Sequence, residues 1–274
     1  MVQKVRILSI DWDYFVNASY NERMELFPDT PNDKASTELS KIIWSSVYAG
    51  AKTRHYLYNT RDIEDIDANN SALKYISKLL NNSDFVYLTE DSHKWLGDFL
   101  LNPDTQEYFN DLYLDDTSLD DLEIVNIDHH SDLYNIGIEL NCGNWLNKVM
   151  EKYENTKVLW VANKDSRCDE LENLAYQNRV SVSRNLKDVT GRFDMVYLCR
   201  SAQWSPPHLD RQYDEFDRKL RKQSLICLSD GFLPIRWDKN MQDTIEQHYK
   251  MNLTILENKK KATSFDSPFK ESEE

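Results

Sequence analysis

The sequence predicts a doubly wound α/β domain in three layers, with a mostly parallel sheet at its centre. Two observations carry this. Six short apolar runs, VRILSI (5–10), FVYL (85–88), EIVNI (123–127), KVLWVA (157–162), DMVYLC (194–199) and SLICLS (224–229), are too short for helices. They are rich in Val, Ile, Leu or Tyr, as strands covered on both faces are. Between them, residues 36–50, 70–81, 92–101, 144–154, 168–177 and 207–221 space their apolar residues at helical period. Strands alternating with helices give a parallel sheet with helices on both sides.

The 274 residues suit one large domain, and no internal boundary divides them. We expect the domain to span residues 1–256. The remainder, 257–274, is polar and charged and reads as a flexible tail. A formal net charge of -14 argues against nucleic acid as a partner and reads equally as a match for a cationic partner or as plain solubility. No apolar run approaches the ~18 residues that span a bilayer, so no membrane partner is expected. MVQKVRILSI leads directly into a strand and reads as no signal peptide. Cysteines at 142, 168, 199 and 227 form no CxxC pair, which suits a reducing cytoplasm rather than a disulfide framework. GxGxxG and P-loop motifs are absent, which removes the common nucleotide-binding readings.

The chemically unusual residues follow the apolar runs. In an open parallel sheet, ligands bind beyond the carboxyl ends of the strands. Asp11 and Asp13 of SIDWDYF follow the first run, and in an extended segment residues two apart face the same way. Such aspartates also serve as plain turn residues. Asp128, His130 and Asp132 of NIDHHSDL follow EIVNI, and the same alternation puts all three on one side. Carboxylates crowded in that way repel one another and call for a cation. Imidazole with carboxylate suits Mn, Fe or Zn better than Ca. His129 points away and reads as packing or support. In TEDSHKWL, Asp91 is a plausible helix cap, and His93 either enters the site or stays a surface residue of a first helical turn.

These motifs resemble the arginase and agmatinase (ureohydrolase) superfamily. SIDWD is similar to its SxDxD metal motif, DHHSD to its DAHxD motif, VYLTEDSH to the strand that supplies a further histidine, and LNCGNWL to its SGN substrate segment. A DxDYF-type opening strand and a downstream CGNW make the chain most similar to peptide arginases, which convert arginine in ribosomally made precursor peptides to ornithine and urea. The likeness covers roughly residues 5 to 235. It implies an arginase/deacetylase-like sheet and two Mn²⁺ per chain held by Asp11, Asp13, His93, Asp128, His130 and Asp132. Asp13, Asp128 and His130 would carry the chemistry, with an arginine-containing precursor peptide as partner. Asn144 would contact substrate. Asp230, in the Ser-Asp-Gly turn after SLICLS, is either the guanidinium's carboxylate partner or a plain turn residue. Arg200–Trp204 would wall the cleft. Two departures matter. DxD precedes DxHxD here, so the strands must thread differently. The arginase proton-transfer histidine is replaced by Trp145, leaving His208 as the candidate shuttle.

Three other readings compete. ILSIDWD also resembles the haloacid dehalogenase phosphatase strand, but Phe15 stands where that family has Thr or Val, and DHHSD goes unexplained. Histone deacetylases share the fold but use one zinc, fewer ions than six ligands invite. A non-catalytic metal-binding or interaction protein is the third.

Overall fold

Among the described residues, seven strands run parallel in one sheet, ordered β5-β4-β3-β1-β6-β2-β7. They are β1 Gln3–Asp11, β2 Val86–Glu90, β3 Thr117–Asp128, β4 Lys157–Ala162, β5 Val180–Ser183, β6 Met195–Cys199 and β7 Ile226–Cys227. The computed structural model describes residues 3–28, 37–81, 83–113, 117–134, 137–168, 178–229 and 237–265.

Strand alternation sorts the core into two faces. Leu8, Ile10, Tyr87, Val125 and Val196 face the apolar sides of α3 (Asn70–Leu79) and α7 (Asp210–Gln223), through Leu73, Ile76, Phe216 and Leu220. Ile7, Leu88, Ile124 and Tyr197 face α4 (Lys94–Leu101), α5 (Thr105–Tyr113) and α6 (Trp145–Lys152), through Leu96, Leu100, Phe109, Leu146 and Val149. The result is the expected three-layer α/β sandwich, with every strand pair parallel. A third apolar cluster joins α1 (Tyr20–Leu26), α2 (Thr37–Tyr58) and α8 (Lys239–Phe265) through Leu26, Trp44, Tyr48, Met241 and Ile245.

Four expected strands match closely, β3 starts at Thr117, ahead of its apolar run at 123–127, and the sixth, SLICLS, pairs only at Ile226–Cys227. Among the described residues, one strand and three α-helices were not anticipated. β5 reads VSVS, with too little apolar weight to announce a strand. The short α1 depends on a capping box, in which Ser19 Oγ accepts from Glu22 N while Glu22 Oε2 accepts from Ser19 N. α5 and α8 are the other two. The domain edge expected at 256 falls inside α8, which continues through Phe265. Lys, Glu and Ala are good helix formers, so a polar stretch extends a nucleated helix at little cost. The helix expected at 168–177 lies largely outside the described residues, as does the end of the chain beyond 265.

Candidate metal centre

Strand register builds the floor of the site. Asp128 pairs with Ala162, Asp11 with Cys199, and Cys199 with Glu90, while Ile10 opposite Ile127 brings Asp11 level with Asp128. The carboxyl edge therefore carries one row: Ala162, Asp128, Asp11, Cys199, Glu90. Two residues earlier on the same face runs a second row: Trp160, Asn126, Ser9, Tyr197, Leu88. Both rows lie on the α4–α6 side of the sheet. DxD and DxHxD thus sit on adjacent strands, and their reversed order in the chain is absorbed by the strand order.

The chain turns as soon as it leaves this edge. β1 ends at Asp11, and Asp13 lies in a 3-10 turn, Trp12–Phe15, whose start is capped by Asp11 Oδ1 accepting from Asp13 N at 2.9 Å. β3 ends at Asp128, whose Oδ1 accepts from His130 N at 2.8 Å. Asp132 has φ of +55°, a left-handed conformation that Asp tolerates better than most residues. Simple alternation beyond the strand ends therefore does not aim Asp13, His130 and Asp132. Capped turns do, because carboxylates bond to backbone amides two residues on.

The six expected ligands converge. His93 Nδ1 lies 3.3 Å from Asp11 Oδ2, 3.3 Å from Asp132 Oδ2 and 3.8 Å from Asp128 Oδ2. His130 Nδ1 lies 3.2 Å from Asp13 Oδ2 and 3.8 Å from Asp128 Oδ1. Asp128 thus presents one oxygen to each histidine. Two donor groups, His93 with Asp128 and Asp132, and His130 with Asp13 and Asp128, are each tight enough to hold a metal ion. A third joins Asp11 and His93 to Cys199.

Electrostatics supports a cation here. Burial, then the neighbouring Asp13, pushes Asp11 up to about 6. Burial, then Asp132, Asp11 and Asp13, raises Asp128 well above the usual carboxylate range. Burial also pushes Asp13 up, but the His130 ring, with Arg23 and His129 behind it, outweighs burial and holds it low. Burial would discharge His93 and His130, yet their carboxylate neighbours raise both. Four buried carboxylates face two imidazoles and the buried Arg23, whose Nη1 is 3.9 Å from Asp13 Oδ2. Neither Asp13 Oδ2 nor Arg23 Nη1 has a hydrogen-bond partner. An uncompensated buried charge costs several kcal/mol or about that per ion. The donor set fits a divalent ion that prefers mixed imidazole and carboxylate ligands.

Residues outside the expected ligand set complete the geometry. Trp145 Nε1 donates to Asp132 Oδ2 at 2.6 Å, and its indole stacks on His93 at 5.3 Å and 8°. A Cβ on Gly97 of α4 would meet Trp145 Cβ at 3.0 Å, so the glycine lets α6 come this close. Ser9 Oγ bonds His93 Nε2 at 2.8 Å, which leaves Nδ1 turned to the carboxylates. Asn126 Nδ2 donates to Asp128 Oδ2 at 3.3 Å. Ser9 and Asn126 were legible in principle: each precedes a ligand by two residues and is a polar residue inside a buried strand. Trp145 enters the sequence reading only as the residue in place of the arginase proton-transfer histidine. Arg23, from α1, carried no sequence signal.

Other expected site residues lie elsewhere. His208 is not in the cluster: Nε2 bonds Ile66 O at 2.7 Å and Nδ1 bonds Tyr48 Oη, so both ring nitrogens are engaged beside α2. Asn144 is buried; Oδ1 accepts from Asn141 N at 2.8 Å and Nδ2 donates to Glu139 O at 2.9 Å, bracing its own loop. Arg200 is turned inward to Asp210 and Ser205 O, and forms no wall. Trp204 does reach the site, its ring 5.0 Å from that of His130. Ser92 Oγ, not Asp91, accepts from Lys94 N at the start of α4. His129 is buried, with Nδ1 unpartnered and its ring edge-on to His130; burial and Arg23 lower it to about 3. Asp230 lies outside the described residues. No helix among the described residues is long and apolar enough to cross a membrane.

Comparison with family models, with curated proteins and with solved structures finds no match to this chain.

Proposed function

We propose that the chain is a binuclear manganese hydrolase of the ureohydrolase kind, converting peptidyl arginine to peptidyl ornithine with release of urea. The observation that carries the hydrolase is Asp128 presenting one oxygen to each of two histidines, His93 with Asp11 and Asp132 besides and His130 with Asp13. The resemblance to peptide arginases supplies the substrate.

On this reading His93, Asp11, Asp128 and Asp132 would hold one ion, and His130, Asp13 and Asp128 the other. Such a pair supplies Lewis acidity and a water acidified enough to attack near neutral pH. The chain's residues set the geometry. Ser9 fixes which nitrogen of His93 faces the carboxylates, and Trp145 occupies one lone pair of Asp132 Oδ2. Arg23 adds a fixed positive charge behind Asp13. The side chain of His130, 26% exposed and flanked by Trp204, is the ligand nearest solvent, so substrate approaches from that side. The water oxygen bonds to the guanidinium carbon, the bond from that carbon to Nε breaks, and both water protons end on nitrogen, giving an ammonium and urea. Asp230 and the edge residue Glu90 are the proposed carboxylate partners for the cationic side chain.

The test incubates Mn²⁺-loaded protein with arginine-containing peptides, free arginine and agmatine. The expected result is urea and loss of CN₂H₂ from peptides only. Turnover of the free compounds alone would replace the peptide reading. Tight Mn²⁺ binding with no turnover of any of them would favour a non-catalytic metal protein.

A further inference from the structure

We propose that Cys199 is a third, soft donor at the Asp11–His93 end of the centre, so that a thiophilic divalent ion is held there through Cys199 Sγ, Asp11 and His93, a coordination mode that a hard ion such as Mn²⁺ does not use. This rests on the reading of the His/Asp cluster as a metal centre, and adds a ligand that the two-ion scheme leaves idle.

Three observations support it. Cys199 and Asp11 are direct partners on adjacent parallel strands, so their side chains leave the same face at the same level. One donor atom each of Asp11, His93 and Cys199 lies within 4.8 Å of the others, and all three residues are buried. In a tetrahedral site with ordinary metal–sulfur and metal–nitrogen lengths, sulfur and nitrogen stand about 3.6 Å apart. Small side-chain adjustments therefore close the triangle without moving either strand. Cys199 is a free thiol, and the other cysteines, at 142, 168 and 227, are all more exposed.

The chemistry then divides by softness. Oxygen and imidazole donors serve Mn²⁺, whereas thiolate selects Zn²⁺, Cd²⁺ and Co²⁺. Coordination through sulfur releases the thiol proton to solvent and leaves the ion bound by one thiolate, one carboxylate and one imidazole. Such an ion occupies Asp11 and His93 and competes with Mn²⁺, so zinc or cadmium acts as an inhibitor.

The experiment titrates metal-free full-length protein with Co²⁺ and reads the near-ultraviolet sulfur-to-cobalt charge-transfer band. The band is expected in the wild type. It is also expected in the triple variant Cys142→Ser/Cys168→Ser/Cys227→Ser, in which Cys199 is the sole thiol. Cys199→Ser should lose the band and about tenfold or more of its Cd²⁺ affinity, yet keep Mn²⁺ binding within about threefold. Co²⁺ bound without the band in the wild type, or a band lost from the triple variant, would overturn the proposal, and neither outcome depends on how well Cys199→Ser folds. Mn²⁺ binding and urea release are measured separately, so failure of the hydrolase reading is told apart from failure of this one.

Discussion

The two ends of the candidate metal centre are built differently. At the His93 end the ring is buried, stacked on Trp145, tied to Ser9 and faced by Asp11, Asp132 and Asp128. At the His130 end the side chain is 26% exposed, lies tilted against Trp204, and faces Asp13, behind which Arg23 sits. One end is braced on all sides by residues of the sheet and of α6. The other is open, with a fixed positive charge behind it. Under the proposed function, an ion at the braced end would meet donors already held in place, while one at the open end would meet fewer supports and the substrate. Support around a ligand sets affinity, whereas access sets chemistry.

The largest expected effect abolishes the comparison. Asp128 serves both ends, so Asp128→Ala should lose ions from both and lower urea release by about 10³-fold or more, read by metal analysis and urea assay. Retention of full metal content would show that Asp128 is not shared. The next experiment separates the ends. His93→Ala and His130→Ala should each retain about one ion per chain, read by native mass spectrometry. The ion kept by His130→Ala should be the tighter one, and the reverse order would invert the assignment of braced and open ends. The smallest expected effect concerns the aromatic neighbours. Trp145→Phe keeps a ring over His93 but loses the N–H to Asp132, and should cost about 10–100-fold in Mn²⁺ affinity by calorimetry. Trp204→Phe should leave that affinity within about threefold and act on KM instead. Equal effects of the two substitutions on affinity would remove the distinction.

Much of the site was legible because both motifs attach to strands of clear apolar character. Asp11 and Asp128 sit where β1 and β3 end, and the sequence marks both ends. Asp13, His130 and Asp132 do converge, but capped turns and a left-handed Asp132 aim them rather than continued alternation. His208 failed for a definite reason. It is a candidate only because Trp145 stands where the arginase shuttle would be, and Tyr48 from a distant helix and the Ile66 carbonyl engage both its nitrogens. Asn144 failed similarly, because its amide braces the loop that contains it.

The sequence by itself determined the parallel α/β class, the strands that matter and the identity of the six converging donors, because apolar period and residue chemistry are local properties. Only the tertiary structure decided that β1 lies between β3 and β6, which brings Asp11 level with Asp128 on one side and Cys199 on the other. Only it placed Trp145 against His93 and Arg23 behind Asp13. Strand order and helix docking minimise exposed apolar surface over the whole chain, and no local window of sequence contains that sum.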